Sequence, residues 1–155
     1  DYAGVPAHQR FMNGGKFDGG QSTAEEKALR EFYRGVLNLS HTDVIAVGDY
    51  QELHSHNINA GQGYNNKLFA FTRATQAQKW IVISNFSAQK SGPLRLSLPA
   101  SYVTAWALDK PVYELSPRLA HHSQFSTLAV NAEGASVELE LAPYDSLVLA
   151  IKDSK

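Results

Sequence analysis

Apolar residues change their spacing part-way along the chain. Between Leu29 and Leu37 they recur at three- and four-residue steps (Leu29, Phe32, Tyr33, Val36, Leu37), while Glu26, Lys27, Arg30, Glu31 and Arg34 fall on the opposite side. That period predicts one amphipathic helix ending near Leu39. Its start is marked by Ser22-Thr23-Ala24-Glu25, in which Ser22 can cap the first turn and Glu25 can complete a capping box. Glu26 and Arg30 form an i,i+4 surface pair. Residues 1–21 read as loop, punctuated by Pro6 and the turn pairs Asn13-Gly14 and Asp18-Gly19. Lys16 lies between glycine pairs and no Ser or Thr follows it at P-loop spacing, so this glycine-rich stretch is not a phosphate cradle.

From Asp43 onward the period is two. Leu68–Arg73 and Trp80–Phe86 flank the polar stretch 74–79 and predict a hairpin. Further strands are expected at Tyr50–Leu53, Leu94–Leu98, Val103–Leu108, Val112–Leu115, Phe125–Val130, Val137–Leu141 and Leu147–Ile151. About eight short strands with turn residues between them and no intervening helix predict a mainly β domain, an antiparallel β-sandwich of Greek-key type. It is preceded by the glycine-rich loop and the amphipathic helix. The stretch Ser55–Asn66, rich in His, Asn and Gly, is expected as an exposed loop.

Composition narrows this picture. A chain of 155 residues, 43% hydrophobic and 19% charged, can bury one ordinary core and is not a disordered tail. A net charge of −1 excludes a strongly basic nucleic-acid surface. No apolar run approaches the roughly 18–20 residues needed to span a bilayer. With no cysteine there is no disulfide framework, thiol nucleophile or cysteine zinc site.

Candidate chemistry is sparse. Glu138 and Glu140 alternate with Val137, Leu139 and Leu141, the mark of a solvated strand face rather than of an acid–base pair. Asp18, Asp49 and Asp145 lie beside turns, where Asp caps backbone donors. His54 and His56 would share one face of a continuing strand, whereas His121 and His122, as strand neighbours, would point to opposite faces, so no metal site is expected. No Gly-x-Ser-x-Gly elbow is present. Asn85-Phe86-Ser87 matches a glycosylation sequon but closes a strand and is read as structural. Aromatic rings suit the apolar face of a sugar. Among Trp80, Trp106, Tyr64, Tyr102 and Tyr113, the tryptophans fit core strand positions, and Tyr64, in the polar loop Gly61–Asn66, is expected to be exposed.

The order of features resembles one family. A loop with Arg10-Phe11-Met12, the helix around Glu25–Tyr33 and a Gly48-Asp49-Tyr50-Gln51-Glu52-Leu53 segment look like the end of an α-amylase-family (glycoside hydrolase family 13) barrel. Leu68–Arg73 resembles that family's strand ending in Arg, Trp80–Ser87 its strand closing in Asn-Phe-Ser, and Ala142–Leu149 its closing strand after a Pro-Tyr pair. Where many relatives carry Trp-Asp, this chain has Asn13–Gly20.

The resemblance implies that residues 1–42 are the last loop and helix of a catalytic (β/α)8 barrel and residues 43–155 the C-terminal β domain, domain C. It implies an α-glucan hydrolase as the parent polypeptide, with this region packing against the barrel through Leu29, Phe32, Tyr33 and Val36. The family's catalytic Asp, Glu and Asp lie on earlier barrel strands, so no residue here inherits a catalytic role and no cofactor is called for. The expected partner is the barrel of the same polypeptide, and the isolated chain would expose an apolar patch through which it could self-associate. The alternative is an α-glucan-binding module, with Tyr64 and Trp106 as its sugar contacts.

Overall fold

In a computed structural model, residues 4–60 and 62–152 are described; the ends of the expected opening loop and final domain (1–3 and 153–155) and Gly61 of the expected 55–66 loop lie outside the described residues. The chain forms two units, Asp1–Asn38 and Leu39–Lys155. No helix is long and apolar enough to cross a membrane.

The first unit holds α1 (Ala7–Met12), a 3₁₀ turn (Asn13–Gly15) and most of α2 (Ala24–Ser40). The loop expected over residues 1–21 therefore contains a helix. Pro6 sits at its N-cap, where a fixed φ is tolerated, and it stops at Asn13 in the left-handed region (φ 43°). The capping box of α2 is real but shifted by one residue from the Ser22/Glu25 frame. Thr23 Oγ1 accepts from the Glu26 amide (3.2 Å) and Glu26 Oε2 accepts from the Thr23 amide (2.9 Å). Both frames have the required spacing, but Glu26 is also the residue that pairs with Arg10. The Arg30 guanidinium lies 3.5 Å over the Phe11 ring, a second tie between α1 and α2.

The second unit begins with α3 (Asp43–Ala46), β1 (Asp49–Glu52) and α4 (His54–Ala60), and continues with β2 (Leu68–Ala74), β3 (Lys79–Asn85) and β4 (Leu94–Pro99). It ends with α5 (Ala100–Ala105), β5 (Val112–Pro117), β6 (Ser126–Asn131), β7 (Gly134–Leu139) and β8 (Ser146–Ile151). The eight strands form one sheet in the order β1-β2-β3-β8-β5-β6-β7-β4, antiparallel at every pairing. The sub-order β4-β7-β6-β5 is a Greek key. The sheet curls on itself, since Leu68, Ile83, Leu96, Leu115, Leu128 and Leu149 from six strands share one core. The fold is mainly β, as the alternation predicts.

Two stretches differ from that prediction. Val103–Leu108 is not a strand, because residues 100–105 form α5. Pro99 opens it, and Tyr102 and Trp106, four residues apart, turn inward with their rings edge-to-face at 4.9 Å. His54–Ala60 is a helix rather than an exposed loop, so helices do intervene between strands. Gly134 is required where β6 turns into β7: its φ is +144°, and a Cβ there would meet the Leu98 carbonyl oxygen at 2.2 Å.

One fully buried polar side chain locks α4 to the sheet. Asn57 Nδ2 donates to the carbonyls of Leu53 and Ser97 (2.9 Å each), and Oδ1 accepts from the Ser97 amide (2.8 Å). Removing it takes the side-chain partner from both backbone groups of Ser97. Asn57→Ala is expected to lower unfolding free energy in urea by about 1–3 kcal/mol, while Asn59→Ala, on the exposed side of the same helix, changes it by less than about 0.5 kcal/mol.

Candidate functional site

Helix α2 carries an apolar stripe that is not buried. Leu29, Tyr33 and Leu37 are each more than half exposed, Phe32 and Val36 more than a third, and none of its residues is buried. Leu29, Tyr33 and Phe11 line a shallow, largely apolar hollow of about 300 Å³. A helix pays its entropy of ordering mainly through burial of such a face, and an exposed stripe of this size marks an interaction surface.

The two aromatic residues expected to meet sugar are placed differently from one another. Tyr64 is only 8% exposed, not the solvent-facing ring its polar loop suggests. Its hydroxyl donates to the Leu68 carbonyl (3.2 Å) and lies 3.1 Å from His54 Nδ1. Burial pushes the phenol up to about 12. Trp106 is equally buried, in line with the core role its neighbours suggest, but it borders an open cleft of about 350 Å³. Asp49, Gln51, Thr72, Gln76 and Lys79 line the same cleft, and Tyr64 does not.

His54 and His56 do not share a face, because they stand two apart on a helix. His121 and His122 reverse expectation in the other direction. They lie in the turn region after β5 rather than in a strand, and both Nε2 atoms come within 3.1 Å of Asp145 Oδ1. His122 Nε2 is also 3.1 Å from the Ser146 carbonyl oxygen. Burial alone would raise the Asp145 carboxyl. Hydrogen bonds from His121 and the Ser146 amide, with His122 beside it, outweigh that and hold it below the usual carboxylate value. These three are the group among the described residues whose donor atoms are placed to hold a metal ion.

Residues 58–152 match the family model described as the α-amylase C-terminal all-β domain. The chain belongs to that family. It is a domain C of the kind carried by α-amylase-family enzymes of glycoside hydrolase family 13. Among solved structures it is similar to AmyP, crystallised with maltotriose, at 13% identity and a TM-score of 0.57, covering 88% of this chain and 24% of that one. It is also similar to the trehalulose synthase MutB from Pseudomonas mesoacidophila MX-45, at 21% identity and a TM-score of 0.50, covering 90% of this chain and 21% of that one. At such identities the likeness shows the fold, and the chain spans less than a quarter of the length of either structure. No curated protein sequence matches it significantly.

Within domain C, several motif residues prove to be scaffold. Arg73, at the end of β2, donates to the carbonyls of Val44 and Ile45 and so holds α3. Asn85 is 3% exposed; its Nδ2 donates to the Gln89 and Ala142 carbonyls and its Oδ1 accepts from the Ser87 amide, which gives Asn-Phe-Ser a structural role. Glu138 pairs with Arg95 and Glu140 with Lys90, all on the solvent side. Asn57 and the convergence on Asp145 escaped sequence reasoning. Both join residues more than 20 positions apart, and single-sequence spacing carries no signal for that.

Burial also pushes the Tyr102 phenol up. A raised phenol pKa keeps the native state protonated where the unfolded chain, at about 10, releases its proton. Stability is therefore complete below pH 10 and falls as pH climbs toward 12. Urea unfolding at pH 8, 10 and 11 is expected to show that decline, with a shallower slope for Tyr64→Phe.

Proposed function

We propose that residues 1–42 are the last loop and helix of a catalytic barrel, that 43–155 are the domain C packed beside it, and that the chain supports an α-glucan-active enzyme without itself performing catalysis. The observation that carries this is the exposed stripe Leu29, Phe32, Tyr33 and Val36 on α2. In a (β/α)8 barrel each helix lays such a face on the strands, so the barrel is the occupant this stripe fits. The short span of the chain relative to AmyP and MutB supports the same reading. At about 25 cal/mol per Å² of apolar surface, a covered patch of a few hundred Å² contributes several kcal/mol as an upper bound.

The coding region upstream of Asp1 is expected to encode a barrel with the Asp, Glu and Asp of the family; a different upstream region overturns the reading. In the longer polypeptide, Tyr33→Asp and Val36→Asp are each expected to lower stability by about 2 kcal/mol or more, seen as faster thermal inactivation, and unchanged inactivation would count against barrel packing.

A second reading, α-glucan contact by domain C, is favoured by the Trp106 cleft, where an indole borders side chains able to hydrogen-bond sugar hydroxyls. AmyP, crystallised with maltotriose, lends the reading its sugar class. Titration with maltoheptaose is expected to change tryptophan fluorescence, less so in Lys79→Ala, and a flat response at millimolar sugar would sink it.

A further inference from the structure

We propose that His121, His122 and Asp145 bind a divalent cation of the zinc class. Two imidazole nitrogens and one carboxylate oxygen meet from connections separated by 23 residues, and the three donor atoms lie within 4.8 Å of one another. Each nitrogen is 3.1 Å from Asp145 Oδ1. Donors about 2.0–2.1 Å from a tetrahedral ion stand roughly 3.3–3.4 Å apart, so each nitrogen-to-oxygen separation is within a few tenths of an ångström of what the ion needs. The Ser146 carbonyl oxygen, 3.1 Å from His122 Nε2, is a neighbouring oxygen on the His122 side.

The donor set chooses the metal. Imidazole nitrogens suit zinc and the later first-row ions, whereas calcium and magnesium want oxygen shells. The frame is held before any ion arrives. Asn85 donates its amide to the Asp145 carbonyl (2.8 Å), the Ser146 amide donates to Oδ1 (2.8 Å), and the His122 amide donates to Leu119 (3.0 Å). The Asp145 side chain is 16% exposed and that of His121 40%, so the anion is sheltered while the approach on the His121 side is open. On binding, the two Nε2–H···Oδ1 hydrogen bonds give way to Nε2–metal bonds; the proton on each Nε2 is released to solvent, and each bound imidazole is neutral with its remaining proton on Nδ1. The ion then clasps the β5–β6 connection to the β7–β8 connection.

The test is calorimetric titration of Zn²⁺ into the EDTA-treated full chain. One ion per chain is expected, with tenfold or greater loss of affinity in His122→Ala and in Asp145→Asn, and no change in His56→Ala. Imidazole ¹H–¹⁵N spectra of the unaltered chain need no variant: Zn²⁺ should shift His121 and His122 and leave His8, His41, His54 and His56 in place, and Co²⁺ should give a tetrahedral visible spectrum. Absence of Zn²⁺ binding, affinity in both ligand variants undiminished from that of the unaltered chain, shifts confined to the other histidines, or a preference for Ca²⁺ would each overturn the site.

Discussion

Strand β3 is held on four sides at once. Its edges hydrogen-bond to β2 and β8. Ile81 and Ile83 enter the main core from one face, and Trp80 enters a second cluster with Val44 and Ala150 from the other. A strand buried on both faces must be apolar almost throughout, and that is why Trp80-Ile81-Val82-Ile83 runs without alternation. The second cluster needs a cover, which α3 supplies through Val44, and Arg73 fastens that cover through the ends of its carbonyls. The Arg118 guanidinium lies over the Trp80 ring, 5.4 Å from its centroid. The Greek key of β4–β7 then completes the inner core from the opposite layer.

The parts of the fold dictated by local period were legible in the sequence. The β2–β3 hairpin, the strands from Val112 onward and the stripe of α2 follow from spacing alone. Elements settled by distant partners were not. Val103–Leu108 alternates well enough for a strand, and only the inward turn of Tyr102 and Trp106 behind Pro99 favours the helix. Ser55–Asn66 is polar enough to read as loop, yet Asn57 and Tyr64 are buried because backbone groups from other segments satisfy them. The two adjacent histidines illustrate the same limit. Opposite faces is the right inference for strand neighbours, and it fails once the residues sit in a turn facing a carboxylate brought from far along the chain.

Two kinds of surface coexist in this molecule. In the β domain, polar groups that leave water are matched by partners, as at Asn57, Asn85 and Thr72, whose hydroxyl meets that of Tyr102 at 3.1 Å. The first unit is built the other way, with large apolar side chains left in contact with solvent along α2. Satisfied interior chemistry is what independent folding requires, and an uncovered apolar stripe is what association requires.

The edge of the sheet at β4 has a further significance. Ser97 and Arg95 face away from β7 with their backbone groups, and those groups are taken by the amide of Asn57 and by the Gln62 carbonyl, which accepts from the Arg95 amide at 2.8 Å. One side-chain amide and one loop carbonyl thus imitate a ninth strand. An open strand edge is a template for another chain, the first step toward fibrils. By occupying it, α4 and the loop after it blunt this edge against pairing with another copy, so colloidal behaviour as well as folding draws on a stretch that reads as mere connection.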